Sequence, residues 1–371
     1  MSTLPQWRRP MRARDTREAH RVATPLELLF DLCFVVAIAQ LGQLLHHSVA
    51  EHHVAHGVAG YVMVFFAIWW AWMNFTWFAS AFDADDVPYR LTALLQIAGV
   101  LVLAAGVPAA FDGRLGVVTL GYVIMRIGLT AQWLRAAHGL RDDARRTALK
   151  MAAGVSACMV GWALILFAHG TMHTALFVVM AAAELSVPVW AERGWSTPWH
   201  PHHIAERYGL LFIIVLGEIV LSTTLAVQGG FGTGRLWWVA GSGLLIVFAF
   251  WWLYFEQPVH DRLVDNRHAF VWGYGHFFVF GSAAALGAGL AVALTSDGPT
   301  LRGNLAVCIP VAVLLVSLQL LHLPSRPAAA AFVVYLAAAL VICAAFAGPA
   351  LPLVAGLLVA AVAARIMIRA R

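Results

Sequence analysis

Runs of about 18 to 25 mostly apolar residues recur along the whole chain, and they constrain its fold more than any other feature. Each run is long enough to cross the hydrocarbon core of a bilayer as one helix. The chain is 61% hydrophobic and only 12% charged, whereas soluble domains are about 45 to 50% apolar. The sequence therefore predicts an all-α polytopic membrane protein that contacts the lipid bilayer directly.

The apolar runs predict about twelve transmembrane helices. They lie at residues 27–47, 56–79, 91–111, 115–137, 149–168, 172–191, 205–227, 235–255, 269–294, 303–321, 328–347 and 350–369. Gly348-Pro349 and Pro352 fall at the last pair, so a hairpin or broken helix there would leave ten or eleven spans. Residues 1–21 are arginine-rich and contain no apolar run, so we expect no cleavable signal peptide.

The basic residues are distributed very unevenly between the two sides of the predicted membrane. Of the 24 Lys and Arg residues, only Arg114, Arg235 and Arg302 fall in loops on the side opposite the N-terminus, and Arg126 falls within a span. The positive-inside rule then predicts an inner-membrane protein with both termini in the cytoplasm. The same distribution explains the net charge of +5, so the charge does not indicate that the protein binds nucleic acid. The basic tail, residues 1–24, is expected to lie against anionic lipid.

An offset of about 180 residues aligns the two halves of the chain. It places Glu27 on Glu206, Trp72 on Trp252 and Gln96 on His276, and it superimposes spans one to six on spans seven to twelve. Six spans per half is an even number, so both halves enter the membrane in the same direction. We therefore predict two parallel six-helix repeats, residues 25–192 and 193–371.

The first span carries two carboxylates, Glu27 and Asp31, four residues apart and hence on one helical face. A charged carboxylate inside a bilayer costs roughly 2.5 to 3.5 kcal/mol on insertion scales, so it normally faces protein, water or a counter-ion. Glu27 lies near the end of the span, where an acid can simply complement the helix dipole. Asp31 lies about one turn deeper and is the more informative residue.

The seventh span contains three further charged residues. Glu206 and Arg207 lie at its predicted cytoplasmic boundary, where they can pair with each other or with water. Glu218 lies about 18 Å deeper at 1.5 Å per residue, beside Gly217. An acid at that depth is neutral, hydrogen-bonded to a neighbouring helix, or exposed to a watery path. The sequence leaves these three possibilities open.

Other polar side chains inside spans are candidates for a polar site. Arg126 needs a partner at its own depth, and Glu184, Asp31 and Glu218 are the candidates. His276 fits either a proton path or a hydrogen-bonded core histidine. Asn74 and Gln96 are typical of interhelical hydrogen bonds. The tryptophans at 69, 70, 72, 251 and 252 indicate packing and interfacial anchoring, with a stacking site for an organic cation as the alternative.

Signals for metal or enzyme chemistry are sparse. His52 and His56 could share zinc or copper if their loop is helical, but a solvated loop explains the same histidines. The four cysteines fall within predicted spans without metal-ligand spacing. We find no nucleophile elbow, P-loop, dinucleotide fingerprint or His-Glu-x-x-His motif. The sequence therefore names no cofactor, and a membrane metalloenzyme is the alternative rather than the main prediction.

Two motifs resemble a known family. The stretch Thr24-Pro-Leu-Glu-x-x-Phe-Asp-Leu-x-Phe-Val35, together with Glu206-Arg-Tyr-Gly-Leu210 and Leu216-Gly-Glu218, is similar to the bacterial low temperature requirement protein A family. Leu29 and Cys33 stand where that family suggests Phe and Val. The resemblance implies a polytopic inner-membrane protein. The family name records a growth phenotype, so an envelope or cold-stress factor that transports nothing is one reading of it.

The first span is also similar to the first helix of two-repeat potassium channels of lysosomes and bacteria. Those channels have six spans per repeat and a Phe-Ser-Asp motif on this helix, whereas this chain has Phe30-Asp31 without the serine. Together with the buried acids, this likeness predicts a channel or transporter for an ion or small solute, linked to protons through Asp31, Glu218 and His276. The sequence leaves the solute and homo-oligomer formation open.

Overall fold

The computed structural model describes residues 7–15, 18, 21–229, 234–263, 265–295, 298–322 and 328–370. Within these residues the chain forms twelve α-helices and no strand. A short 3-10 turn, His260–Arg262, separates α8 from α9. The helices are α1 (Pro25–Ala50), α2 (Val54–Phe82), α3 (Val87–Phe111), α4 (Gly116–Gly139), α5 (Asp142–Ile165), α6 (Gly170–Ala191), α7 (Pro201–Gly229), α8 (Gly234–Phe255), α9 (Asn266–Thr295), α10 (Leu301–Leu321), α11 (Ala328–Ala344) and α12 (Ala350–Arg369).

Each predicted span corresponds to one helix, which confirms the predicted all-α polytopic class. Ten of the described helices are long and apolar enough to cross a membrane, judged by length and composition. The other two are α7 and α11, and α11 is a shorter apolar helix of 17 residues. At the Gly348-Pro349 segment the chain turns, and α12 begins at Ala350 as a separate helix that qualifies as a span.

The chain forms two compact units. The first comprises Met1–Gln40 and Met63–Arg207, and the second comprises Leu41–Val62 and Tyr208–Arg371. The boundaries between the units follow Gln40, Val62 and Arg207. Each of them falls inside a helix rather than in a loop. The helices α1, α2 and α7 therefore each contribute residues to both units. The predicted six-helix repeats, residues 25–192 and 193–371, stay a prediction.

Close helix packing in the first unit depends on glycine at the contact between α3 and α4. A Cβ added to Gly121 would collide with the backbone of Leu103 and with the carbonyl oxygen of Gly99. Gly106 and Gly128 extend the same contact, seven residues from Gly99 and from Gly121 respectively. Small residues let helix backbones approach closely in membranes, where lipid supplies no hydrophobic drive for association. Helices α3 and α4 are thus closely packed along this contact.

Candidate functional site

The start of α1 fixes the position of Glu27. The backbone N–H of Glu27 donates to Thr24 Oγ1 at 3.3 Å, and the N–H of Thr24 donates to Glu27 Oε2 at 2.8 Å. This reciprocal arrangement is a capping box, which satisfies donors that an α-helix leaves free at its N-terminus. One carboxylate oxygen of Glu27 is therefore committed to the helix cap, and the other, Oε1, is available to other groups.

Asp31 and Arg207 form a fully buried ion pair in the first unit. Arg207 Nε donates to Asp31 Oδ2 at 2.9 Å, and Arg207 Nη2 donates to Asp31 Oδ1. Trp72 Nε1 also donates to Asp31 Oδ1, at 2.7 Å. Arg207 Nη1 lies 3.0 Å from Glu27 Oε1, so one guanidinium contacts both acids of α1. Bidentate contacts of this kind are the strong class of charged hydrogen bond.

Arg21 and Asp83 extend this cluster towards the end of α2. Arg21 Nη2 lies 3.7 Å from both Glu27 Oε1 and Asp83 Oδ2, and the same guanidinium donates to the carbonyl oxygens of Ser80 and Ala79. Those carbonyls belong to the last turn of α2, where a cation is favourable. Burial lowers the pKa of Arg21, and the charge of Glu27 partly offsets this effect. Burial and the charge of Glu27 raise the pKa of Asp83, although the charges of Arg21 and Arg14 act to lower it.

Helical spacing explains why these side chains converge. Trp72, Thr76 and Ser80 recur every four residues along α2 and so share one face. Arg207 Nη2 donates to Thr76 Oγ1 at 3.3 Å, and Ser80 Oγ accepts from the N–H of His200 at 3.0 Å. His203 lies four residues before Arg207 on α7, with its Nε2 3.2 Å from Glu27 Oε1. The cluster is held by α1, α2 and the first two turns of α7.

The charges of this network balance. Its acids are Glu27, Asp31 and Asp83, and its cations are Arg21, Arg207 and the partly exposed Arg14, which lies 3.2 Å from Asp83. His203 is fully buried and adds an imidazole beside Glu27 that can gain a proton. We name this set the Arg207 network. When the imidazole is neutral, the formal charge of the network is zero. Gaining or losing a single proton therefore leaves an uncompensated charge in a largely buried cluster.

A second buried ion pair lies elsewhere in the first unit. Arg126 Nη2 lies 3.1 Å from Glu184 Oε2, so Glu184 is the partner among the candidates named from the sequence. Trp70 Nε1 donates to Glu184 Oε2 at 2.8 Å, and Trp162 Nε1 donates to Glu184 Oε1 at 3.1 Å. Arg126 also donates to Tyr122 Oη at 2.6 Å and lies over the Tyr122 ring. Every contact here is between neighbouring buried side chains.

The second unit contains a buried histidine pair. His276 Nε2 and His322 Nε2 are 2.9 Å apart, and His276 Nε2 is also 3.2 Å from Tyr254 Oη. The other ring nitrogen of His276 contacts the carbonyl oxygen of Trp272 at 2.7 Å, which requires it to carry the proton. Both imidazoles are fully buried. His276 is therefore buried and hydrogen-bonded, and its role in a proton path stays a prediction.

The remaining predicted residues lie apart from these clusters or in simpler contacts. Glu206 does not pair with Arg207; its Oε2 accepts from the N–H of Ala23 at 3.1 Å. Glu218 lies on α7 in the second unit with a partly exposed side chain. Gln96 makes the expected interhelical bond, to Gln132 at 3.0 Å. Asn74 instead donates to the carbonyl of Trp70 on its own helix, because that carbonyl is four residues back.

The helical arrangement assumed for a His52 and His56 metal pair is not formed. His52 lies in the turn after α1 with a φ of 71°, whereas His56 lies in the first turn of α2. Within the described residues, no group of three or more His, Cys, Asp or Glu side chains is arranged to hold a metal ion.

Several residues of the Arg207 network, and of the side chains that contact it, were not singled out from the sequence. Arg21 belongs to the predicted basic tail and Trp72 to the predicted aromatic anchors, whereas His203 is not among the predicted site residues. The available signals were the four-residue spacing of His203 and Arg207, and the same spacing of Trp72, Thr76 and Ser80 on a span otherwise rich in aromatic residues. His322 lay just beyond the predicted tenth span, where nothing marked it as buried.

Comparison with known proteins gives a family and a curated relative. A family model described as bacterial low temperature requirement A protein (LtrA) matches residues 22–368. An uncharacterized protein of Rhizobium meliloti (strain 1021) is 26% identical over 272 residues, which are 69% of this chain. The match spans 65% of the length of that relative.

Proposed function

The chain belongs to the bacterial low temperature requirement A (LtrA) family of membrane proteins, and from this premise we propose that it is a channel or transporter for an ion or small solute, linked to protons by the Arg207 network. We place it in the bacterial inner membrane, with both termini in the cytoplasm. Glu218 is a further candidate on the same pathway.

The observation that carries this proposal is the complete burial of two acids of α1 and an arginine of α7. Asp31, Glu27 and Arg207 each have essentially no exposed surface. Burying a salt bridge costs more in desolvation than an apolar replacement of similar volume, so such a cluster is weak evidence for a purely stabilising role. Ionisable groups inside membrane segments are instead characteristic of ion and proton pathways.

The geometry supports a competition between Arg207 and an incoming cation. In the arrangement described, Arg207 is the counter-ion of both Asp31 and Glu27. A proton or another cation that binds either carboxylate replaces part of this interaction and weakens the hold of α7 on α1. Binding and helix movement would thereby be coupled, because a ligand shifts an equilibrium only through its different affinity for the two states.

The test is flux in sealed proteoliposomes, with potassium, sodium and proton gradients imposed in turn. Asp31→Asn removes the titratable charge while keeping the size of the side chain and an acceptor for Trp72. Trp72→Phe is the matched control, because it removes one hydrogen bond to Asp31 and leaves its charge. We expect wild type and Trp72→Phe to conduct and Asp31→Asn to lose the flux. Glu218→Gln, in the same assay, tests the second acid.

Two results would contradict the proposal. One is a folded Asp31→Asn protein with wild-type flux, which would remove Asp31 from the pathway. The other is a wild-type protein without flux under any gradient. The Arg207 network would then serve stability alone, as expected of a membrane factor that transports nothing, and Asp31→Asn would lower the melting temperature as its only effect.

A further inference from the structure

We propose that a basic pocket beside the C-terminus of α4 binds a phosphate group. Its occupant is the headgroup of an anionic lipid or a soluble phosphate compound, which share this chemistry. The pocket is a cavity of about 350 Å³ lined by Arg8, Arg9, Pro10, Met11, Arg135, His138 and Gly139. The lining residues all lie in the first unit, and none belongs to the Arg207 network.

The wall of the pocket is built by a segment that precedes α1, residues 7–14, which crosses the end of α4. The backbone N–H of Arg9 donates to Asp86 Oδ2 at 2.6 Å, and Arg135 donates to the carbonyl oxygen of Arg9 at 2.8 Å. At Gly139 a Cβ would collide with the carbonyl oxygen of Met11, so the segment can approach α4 only because this position is glycine. The pocket is therefore held open by backbone contacts rather than by the side chains of Arg8 and Arg9.

The pocket carries uncompensated positive charge. Arg135 is paired with the buried carboxylate of Asp86. Neither Arg8 nor Arg9 makes an ion pair with any residue in the part of the chain that the structure describes. Arg8 and Arg9 thus both line the cavity, beside His138, and their positive charges have no counter-charge among the described residues. Arginine is the side chain best suited to phosphate, because its planar donors match two phosphate oxygens.

The surface of α4 favours a lipid as the source of the phosphate. Leu120, Ile127 and Leu134 are each about half exposed and recur every seven residues, and His138 follows Leu134 by one turn. This exposed apolar face suits acyl chains, and it ends at the pocket. Trp7, 75% exposed, lies at the start of the same segment, and tryptophan is enriched at the headgroup level of membranes. Basic pockets at cytoplasmic helix ends are known to bind anionic headgroups.

The experiment compares two double variants of the full chain purified in neutral detergent. Arg8→Gln with Arg9→Gln removes both free guanidinium groups from the pocket. Arg12→Gln with Arg145→Gln removes the same charge from exposed positions that do not line it. Retained lipid is counted by native mass spectrometry after titration with phosphatidylglycerol or phosphatidylcholine. Glycerol phosphate and inorganic phosphate, added without lipid, form the soluble arm.

We expect wild type and the control variant to retain phosphatidylglycerol. The pocket variant should bind it about 25-fold more weakly, at about fivefold for each arginine removed. The same dependence for glycerol phosphate or inorganic phosphate would identify a soluble ligand instead and would still support a phosphate site. Equal weakening in both double variants, unchanged binding in the pocket variant, or no binding to wild type would overturn the proposal.

Discussion

Glu27 and Asp31 show at the level of single residues how one helix face can combine structural and electrostatic roles. Glu27 uses one oxygen to cap α1 and the other to contact Arg207, His203 and Arg21. Asp31 has no part in the cap and, among the residues that the structure describes, accepts from Arg207 and Trp72. The dipole role expected for Glu27 and the site role expected for Asp31 are therefore compatible, because they use different atoms.

Arg207→Gln is expected to destabilise the protein more than Asp31→Asn. Without the guanidinium, Asp31 and Glu27 remain buried close together with no counter-ion from α7, at a cost of about 3 to 5 kcal/mol. Asp31→Asn leaves Arg207 paired with Glu27 and should cost less. The double variant should regain part of the loss, because it removes one of the stranded acids. Melting temperatures in detergent, followed by tryptophan fluorescence, would measure all three.

A melting temperature of Asp31→Asn lower than that of Arg207→Gln would contradict this prediction. So would strict additivity of the two substitutions, since residues that share a hydrogen-bond network are expected to couple by about 0.5 to 3 kcal/mol.

The sequence identified the acids of the site better than their partners. Asp31 stands out because an acid inside an apolar run is costly wherever the helix packs, and that cost is visible in the sequence itself. Arg207 was expected at a boundary, yet it is fully buried. Its partner depends on which helices meet, and α1 and α7 are separated by about 180 residues. Residue spacing records the face of one helix but not the helix opposite it.

At the level of helices, α3 shows two ways in which sequence fixes packing. Its N-terminus is capped by Asp86, which accepts from the N–H of Tyr89 at 3.0 Å and pairs with Arg135 of α4. Its middle packs on α4 through glycines. The cap was readable as an Asp followed by an apolar run with Pro88 in its first turn. The glycine contact needed the structure, because a glycine alone does not name its neighbour.

Gly121→Ala is expected to destabilise the protein by about 1 to 3 kcal/mol, as overpacking of a tight contact usually does. The added methyl group would meet the backbone of α3, which cannot move aside as a side chain can. Gly116→Ala is the matched control on the same helix, because no atom lies within 4 Å of the Cβ it would add. A lower melting temperature only for Gly121→Ala would support the contact, and equal effects would refute it.

The pairing of Asp86 makes stability depend on pH. Burial opposes ionisation of Asp86, but hydrogen bonds from Arg135 and from the N–H groups of Arg9 and Tyr89 outweigh it and hold the pKa below its usual value. The ionised form therefore stabilises the fold above the unfolded pKa of about 3.9, and this contribution is lost as pH falls through the lowered folded pKa.

Asp86→Asn keeps an acceptor for the cap but has no charge, so it isolates this effect. At neutral pH we expect wild type to be more stable by about 1.5 to 3 kcal/mol, the range for hydrogen bonds to charged groups. The difference in melting temperature should shrink as pH is lowered below about 4. A difference that stays constant with pH would show that the charge of Asp86 has no such role.

For the whole molecule, hydropathy predicted the helices and left their grouping open. The twelve predicted apolar runs correspond to twelve helices. In lipid an apolar segment must form its backbone hydrogen bonds internally, and a helix does so whatever its neighbours are. The compact units were not foreseen, since their boundaries fall inside α1, α2 and α7. A run that is apolar on nearly every face carries little information about which neighbour it packs against. That information lies in the few polar residues and glycines discussed above.

The predicted orientation in the membrane rests on the distribution of charge alone and can be tested with two cysteines. His53, whose side chain is 70% exposed, lies between α1 and α2, and the exposed Arg145 lies near the start of α5. Three helices, α2, α3 and α4, separate the two positions, so they must face opposite sides if each helix crosses once. The positive-inside rule predicts that His53 lies outside and Arg145 in the cytoplasm.

In a background lacking the four native cysteines, which are all free thiols, a membrane-impermeant maleimide should label His53→Cys in intact spheroplasts. It should label Arg145→Cys only after the membrane is permeabilised. The reverse pattern would invert the orientation while keeping the helix count. Labelling of both positions from one side would mean that one of the three intervening helices does not cross, and the parallel repeat, which requires an even number of spans per half, would fail with it.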